Sequence, residues 1–263
     1  MNTPQVALSI AGSDNSAGAG AQADLKTFTT HSVYGLTAIT CVVAEIPGRV
    51  SAIQPVEAGI VFEQIRLSFE AYPVAAVKTG MLHSREIIEA VYKGLEGRKI
   101  PLVVDPVMIA TSGDPLLKQD AIASYKERLF KIATVVTPNL DEAGVLLGRT
   151  VSGLAQMRDA VGELAQTFGV PFLLKGGHLD GDKAVDLLYA DGKIFEFSAP
   201  FVRGVATHGT GCTYSAAITA SLSKGLPLPV AVSEAKQFVT RAIASHFRWK
   251  RGAVKTDALN HFK

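Results

Sequence analysis

The sequence predicts a three-layer α/β/α protein whose central sheet is mainly parallel. Short apolar runs alternate with longer segments of helical period from one end of the chain to the other. The apolar runs lack clean polar alternation, which is typical of strands covered on both faces. Repeated strand and helix implies parallel strands joined by right-handed crossovers. With 263 residues, 48% of them hydrophobic, and no linker or repeat, we expect one domain, 1–263.

The individual elements follow from local pattern. The predicted strands are Gln5–Ala11, Leu36–Ala44, Val74–Lys78, Leu102–Asp105, Thr134–Thr137, Phe172–Lys175 and Ala184–Tyr189. Between them, apolar residues recur every three or four positions and predict amphipathic helices over 58–69, 87–95 and 154–168. The segment Ile46–Ile53 contains a Pro-Gly turn and is interpreted either as a flap over a pocket or as an ordinary hairpin.

Composition narrows the class of protein. The formal net charge of +2 favours neither nucleic acid nor a membrane surface as a partner. Two cysteines, Cys41 and Cys212, indicate a reducing compartment rather than a disulfide framework. The first residues have no basic region, and the apolar run that follows is too short for a signal or spanning segment. We therefore expect a cytoplasmic protein.

Polar and glycine residues follow the predicted strands, where ligands bind in open α/β sheets. They are Gly12–Asp24, Glu45, Thr79–Met81, Asp105–Pro106, Pro138–Asn139 and Lys175–His178. The first of these loops is glycine-rich but has neither the Gly-Lys-Ser/Thr of a Walker A loop nor the spacing of a dinucleotide fingerprint. A functional site is predicted along this edge of the sheet, although that loop alone is compatible with a plain connection.

The segment Thr207–Thr213 carries the strongest chemical signal. Its glycines and hydroxyl residues run into an alanine-rich helix, which predicts an anion site at the helix N-terminus with Cys212 in the first turn. The same N-terminus is expected to lower the pKa of the Cys212 thiol. The alternative is a glycine turn before a buried helix, with a small buried cysteine.

Four further residues are candidates for charge chemistry. Asp105 ends a buried strand, where its carboxylate must be paired, solvated or bound to a cation. Asn139 and Glu142 lie three apart at a helix start and could serve a ligand or form a simple capping box. Lys175 leaves a strand into Gly176, so it either reaches a phosphate or is a solvated surface lysine. Together these groups match the requirements of phosphoryl transfer.

The motifs named here resemble those of the ribokinase-like kinases, and within them the hydroxymethylpyrimidine and phosphomethylpyrimidine kinases of thiamine synthesis. The resemblance extends over nearly the whole chain. It is carried by Ala7–Phe28, Lys78–Leu82, Val104–Met108, Ser112–Leu117, Thr137–Ala143, Leu174–His178 and His208–Ala217. It implies a single ribokinase-like sandwich that is usually a dimer, with ATP and Mg²⁺ as cofactors.

The resemblance also implies roles for single residues. Gly209, Thr210 and Gly211 would form the anion hole, and Cys212 would occupy the position of the catalytic base, which is aspartate in most of the wider superfamily. Lys175 would steady the transferred phosphoryl group. Mg²⁺ and the phosphates would be bound by Asp105, Asn139 and Glu142, with the metal itself held by Asp105 and Glu142. The acceptor would be contacted by Gly12, Asp24 and the Met81 backbone.

The chain departs from that family at two places. Glu45 stands where the pyrimidine kinases usually have glutamine, whose amide can both donate to a ring nitrogen and accept from an amine, whereas a carboxylate only accepts. Either the ring is protonated, or Glu45 is protonated, or the substrate differs; alternatively, Glu45 pairs with Arg49 and meets no ligand. The tail from Arg248 to Val254 replaces a usual Gly-His-Gly-Pro segment, which leaves the closure of the nucleotide side open.

These observations predict an ATP- and Mg²⁺-dependent kinase for a hydroxymethyl aminopyrimidine or its monophosphate, with Glu45 among the acceptor-binding residues. The nearest rival is a pyridoxal or pyridoxine kinase with the same cysteine loop. A non-catalytic pyrimidine-binding protein with this fold is the rival from another class.

Overall fold

The computed structural model describes residues 3–108, 119–177, 182–205 and 208–262. The motif 112–117 and the residues His178 and Thr207 lie outside these ranges. None of the helices within them has both the length and the hydropathy that crossing a membrane requires.

A mixed sheet of nine strands forms the centre of the described structure, with the order β3-β2-β1-β4-β5-β6-β7-β8-β9. Its strands are β1 Val6–Asp14, β2 Tyr34–Ile46, β3 Arg49–Pro55, β4 Val74–Thr79, β5 Leu102–Val104, β6 Val135–Val136, β7 Phe172–Gly176, β8 Lys183–Ala190 and β9 Lys193–Pro200. Strands β2, β1, β4, β5, β6 and β7 are parallel, and β3, β8 and β9 add antiparallel pairs at the two edges. The predicted α/β class with a mainly parallel sheet is confirmed.

Helices cover both faces of this sheet. They are α1 Gly20–Thr30, α2 Ala58–Ala71, α3 Arg85–Leu95, α4 Gln119–Ser124, α5 Phe130–Ile132, α6 Leu140–Leu147, α7 Gly153–Phe168, α8 Thr210–Ser223 and α9 Leu228–Ala244, with a π-helical turn over Tyr125–Leu129. One buried cluster joins the sheet to α2, α3, α6 and α7, and two others join it to α8 with α9 and to α1. These clusters form the two interfaces of a three-layer sandwich.

The edges of the sheet show what the sequence patterns left out. The Ile46–Ile53 segment is an antiparallel hairpin. It also lines a cavity of about 540 Å³, through Gly48, Arg49, Val50 and Ile53, so the flap and hairpin interpretations describe one structure. Strand β9 was not predicted: the strand predictions rest on continuous apolar runs, whereas half-buried and exposed residues alternate along this edge strand.

The divergent tail forms a separate antiparallel hairpin from β10 Phe247–Arg251 and β11 Val254–Ala258. The Arg248 guanidinium donates to both carboxylate oxygens of Asp257, at 2.6 and 2.8 Å, and to the carbonyl of Gly204 at 2.6 Å. The first two bonds join the two strands of the hairpin, and the third ties the hairpin to the segment that follows β9.

Candidate active site

A cavity with a volume of about 540 Å³ follows the carboxyl edge of the parallel strands. Polar residues from the ends of β1, β4, β5, β6 and β7 therefore face one space, as the strand-end argument predicted. Eleven of the predicted site residues line it: Gly12, Glu45, Met81, Asp105, Asn139, Glu142, Lys175, Gly209, Thr210, Gly211 and Cys212.

Helix α8 begins in the wall of this cavity. Its N-cap, Gly209, has a φ of 81°, and a Cβ atom there would lie 1.8 Å from the carbonyl oxygen of Gly18. Only glycine fits both the backbone conformation and this close approach. A Cβ atom at Gly211 would lie 3.3 Å from Lys175 Nζ, so the first turn of α8 directly faces that ammonium group. The backbone N–H groups of this turn, which precede the helix's own hydrogen bonding, are a suitable anion site.

Cys212 lies in the first turn of α8, as predicted, but its protonation differs from the prediction. Burial raises the pKa of the Cys212 thiol to about 11, although the ammonium of Lys78 and the backbone N–H of Gly20 act to lower it. The cost of placing a thiolate in a water-poor site thus exceeds the stabilisation that the helix N-terminus provides. The expectation of a lowered thiol pKa is wrong for the ligand-free protein.

Asp105 and Lys175 form a buried ion pair beside the first turn of α8. Lys175 Nζ donates to Asp105 Oδ1 at 3.0 Å, and the hydroxyl of Ser215 donates to Asp105 Oδ2 at 3.0 Å. Burial acts to lower the pKa of Lys175, but the carboxylates of Asp105 and Glu142 outweigh it and raise that pKa, so the amine is charged. The interpretation of Lys175 as a solvated surface lysine is therefore wrong.

Asn139 and Glu142 open α6 with a reciprocal capping box. Asn139 Oδ1 accepts from the N–H of Glu142 at 2.8 Å, and Glu142 Oε2 accepts from the N–H of Asn139 at 2.9 Å. The capping interpretation is confirmed, and both side chains also line the cavity. Burial raises the pKa of Glu142. This carboxylate is therefore a structural group that also faces a possible ligand.

Asp24 was predicted to contact an acceptor, and the structure contradicts this. The side chain is fully buried, with Oδ1 accepting from Lys78 Nζ at 2.7 Å and Oδ2 accepting from the Ser9 hydroxyl. Both carboxylate oxygens are used inside the protein, beneath the cavity rather than in its lining. A carboxylate at 0% exposure needs such partners, because an unpaired buried charge is very costly.

Glu45 faces Asp14 and His208, and not Arg49. On the β2–β3 hairpin Glu45 is opposite Val50, while Arg49 is opposite Ile46, and neighbouring strand residues point to opposite faces. In the described part of the chain, a carboxylate oxygen of Asp14, a carboxylate oxygen of Glu45 and a ring nitrogen of His208 lie within 4.8 Å of one another. Burial and the Asp14 carboxylate raise the pKa of Glu45. The predicted alternative of a Glu45–Arg49 pair is wrong.

The opposite end of the cavity lies beside β8, β9 and α9. Lys236 Nζ donates to Asp186 Oδ2 at 2.6 Å, and Asp186 Oδ1 accepts from the N–H of Gly176 at 3.0 Å. Apolar side chains such as Phe201, Val239 and Ile243 complete the lining there. The cavity therefore has a charged, polar centre and one end suited to an apolar ring.

Sequence reasoning missed four polar residues that line this site or act on its residues: Asp14, Lys78, His208 and Ser215. The positions of two of them in the sequence could have identified them, since Asp14 ends β1 and His208 immediately precedes Gly209. Lys78 sits in an otherwise apolar strand, which is itself a sign of a buried partner.

A comparison with protein families identifies the chain. The family described as phosphomethylpyrimidine kinase matches residues 14–257. The chain belongs to this family. It is similar to the hydroxymethylpyrimidine/phosphomethylpyrimidine kinase of Rhizobium meliloti (strain 1021), with 46% identity over 258 residues, 98% of this chain and 97% of that protein. The kinase is also 39% identical over 263 residues to the pyridoxine kinase of Bacillus subtilis (strain 168), which covers 96% of each chain.

Solved structures show the same two relationships. An ADP complex of Bacillus subtilis pyridoxal kinase aligns with a TM-score of 0.90 at 35% identity and covers 98% of both chains. Phosphomethylpyrimidine kinase from Clostridium difficile 630 aligns with a TM-score of 0.80 at 38% identity, over 91% of this chain and 99% of that one. The ribokinase-like fold is confirmed, and the protein is a small-molecule kinase, a class of enzyme that uses ATP. The rival interpretation, a non-catalytic pyrimidine-binding protein, is disfavoured.

Proposed function

We propose that this kinase transfers the γ-phosphoryl group of ATP to hydroxymethylpyrimidine, to its monophosphate, or to both, in the synthesis or salvage of thiamine. The observation that carries the proposal is the meeting of the α8 N-terminus, Cys212 and the Asp105–Lys175 pair in one cavity. The names of the relatives support the choice of substrate.

The central groups have complementary roles in this proposal. Gly209, Thr210 and Gly211 supply backbone donors for the phosphoryl oxygens, and Lys175, beside Gly211, adds positive charge where charge spreads in the transition state. Cys212 takes the proton of the acceptor hydroxyl as its oxygen bonds to phosphorus and the bond to ADP breaks. Because the free thiol has a pKa of about 11, this base is in its active form for only a small fraction of the time at neutral pH.

The carboxylates of Asp105 and Glu142 fit a hard divalent cation such as Mg²⁺. Asp105 accepts from Lys175, Thr137 and Ser215, and Glu142 accepts from the N–H groups of Met108 and Asn139. A carboxylate offers about four lone-pair positions, so each side chain retains capacity for a cation or its water. Bound there, Mg²⁺ would neutralise phosphate charge, with Asn139 available as a further polar contact.

Gly12, Glu45 and Met81 line the proposed acceptor end of the cavity, between the end of β1 and the β2–β3 hairpin. A neutral aminopyrimidine offers Glu45 one donor and one ring lone pair, so recognition needs one additional proton, on the carboxyl or on the ring. The raised pKa of Glu45 makes the protonated carboxyl more accessible.

We also propose that the protein is a homodimer, as in the family it resembles, which light scattering in solution tests directly.

Glu45→Gln tests this acceptor assignment. Since the glutamine amide supplies its donor at every pH, the ratio of kcat/KM for hydroxymethylpyrimidine, wild type over variant, is expected to fall about tenfold per pH unit above the Glu45 pKa. The measurement is coupled ATP turnover from about pH 6 to about pH 9.

Pyridoxal provides the matched acceptor for the second candidate function, a pyridoxal kinase, which the similarity to the Bacillus subtilis enzyme favours. Hydroxymethylpyrimidine turnover well above pyridoxal turnover supports the proposed function, and the reverse ranking supports the second candidate. Equal rates of wild type and Glu45→Gln on both acceptors would show that Glu45 does not recognise the ring.

A further inference from the structure

His208 and Asp14 join two loops that come from distant parts of the sequence. His208 Nε2 lies 3.0 Å from Asp14 Oδ2, and the side chains are largely buried. Asp14 is the last residue of β1, where the loop to α1 begins, while His208 directly precedes the N-cap of α8. The contact therefore connects the loop before α1 with the loop before α8.

Asp14 is fixed within its own loop by several donors. Its carboxylate accepts from the N–H of Ser16 at 2.7 Å, from the Ser16 hydroxyl at 2.9 Å and from the N–H of Ala19 at 2.8 Å. These contacts and His208 outweigh burial and hold the pKa of Asp14 far below its usual range. Asp14 is consequently a rigid, permanently charged anchor.

The two loops also fit closely beside this anchor. A Cβ atom at Gly18 would lie 2.7 Å from His208 Cδ2, and Gly209 packs against the carbonyl of Gly18. The same arrangement places Gly20, the first residue of α1, in the same cavity lining as Cys212, where its backbone N–H acts to lower the pKa of the thiol. Two helix N-termini thus converge on Cys212, and the loops that hold them meet at His208.

We propose that His208 is a positioning residue. Its ion pair with Asp14 clamps the anion-hole residues Gly209–Gly211 onto the loop before α1 and so holds the α1 N-terminus against Cys212. The proposal deepens the function proposed above and rests on it only where turnover is measured. The pair acts on the geometry of the phosphoryl site, and both of its residues line the cavity.

The charges around the clamp determine its pH dependence. Asp14 and Glu45 face His208, and the hydrogen bond to Asp14 raises the pKa of His208 despite burial. The ion pair is complete below the ordinary histidine pKa and is lost as pH rises through the higher folded value. Lys78, Asp24 and Asp105 are the charged groups around Cys212 and are the same in every variant considered next.

His208→Ala is expected to lower kcat about tenfold at pH 6.5, the range for losing a charged hydrogen bond, and to change KM for the acceptor less than threefold. The ratio of kcat between wild type and variant cancels the titrations that the two proteins share and should fall as pH rises. Hydrogen exchange of the peptide that contains Gly209–Thr213 should be faster than in wild type, while the α7 peptide is unchanged. His208→Gln, which keeps a neutral donor, should restore part of kcat without the step in pH.

Arg149→Gln is the control, because it removes an exposed ion pair with Glu163 outside the cavity, and both readouts should stay within about twofold of wild type. A folded His208→Ala with wild-type exchange, or with a kcat ratio that pH does not change, overturns the clamp. If His208→Ala does not fold, Asp14→Asn replaces it with the same expected exchange and pH results, and wild-type behaviour again overturns the proposal. Full activity of Cys212→Ala would refute the base role alone, because the exchange readout does not depend on turnover.

Discussion

Cys212→Ala is expected to lower kcat about 100-fold or more and to leave the affinity for ATP little changed. The thiol lies at the α8 N-terminus among the groups proposed to surround the transferred phosphoryl group, so its removal takes away the base without removing the backbone donors. A loss of this order is typical when a general base is deleted. Coupled turnover gives kcat, and binding of a non-hydrolysable ATP analogue gives the affinity.

Two further variants at this position separate basicity from size. Cys212→Ser keeps a polar side chain of similar shape but is a much weaker acid, so its loss should approach that of Cys212→Ala. Cys212→Asp introduces the carboxylate that most of the wider superfamily has and should recover part of the rate. If Cys212→Ala turns over at the wild-type rate, another group must accept the proton.

Much of the fold follows from the sequence because period and strand-end chemistry are local properties. The strand predicted over Val74–Lys78 is observed as Val74–Thr79, and the helix predicted over 154–168 is observed as Gly153–Phe168. The carboxyl-end rule then brings Asp105, Asn139 and Lys175 to one cavity without any knowledge of tertiary contacts. Such predictions succeed because they need only the order of the elements.

The roles of Asp24 and Glu45 could not be obtained in this way. Asp24 lies on the inner face of α1 and pairs with Lys78, 54 positions further along the chain, so only the folded structure shows that its carboxylate is unavailable to a substrate. For Glu45, nearness of Arg49 in sequence suggested an ion pair that the strand register excludes. Burial also reversed the expected direction of the Cys212 pKa shift. In each case the deciding quantity, either register or desolvation, is a property of the tertiary structure.

The second large effect concerns the stability of the protein and comes from the buried Lys78–Asp24 ion pair. Lys78→Met is expected to lower the free energy of unfolding by about 3–5 kcal/mol, because methionine fills the space but leaves the Asp24 carboxylate buried without its cation. The Asp24 carboxylate and its neighbours outweigh burial and raise the pKa of Lys78, so the amine is charged throughout the neutral range. Burial raises the pKa of Asp24 even beside Lys78, and loss of the ammonium raises it further, so the deficit should be larger at pH 8 than at pH 6. The measurement is urea unfolding followed by fluorescence and circular dichroism.

The double variant Lys78→Met/Asp24→Leu distinguishes a lost attraction from an uncompensated charge. Replacing both partners by apolar groups should recover most of the stability, since buried ion pairs are often no better than apolar packing of equal volume. Lys78 also acts on Cys212, so the double variant should remain well below wild type in kcat even when its stability is restored. Recovery of both properties would mean that the pair has no influence on the thiol, whereas recovery of stability alone would show that the kinase retains a buried charge beneath its active site for catalysis rather than for folding.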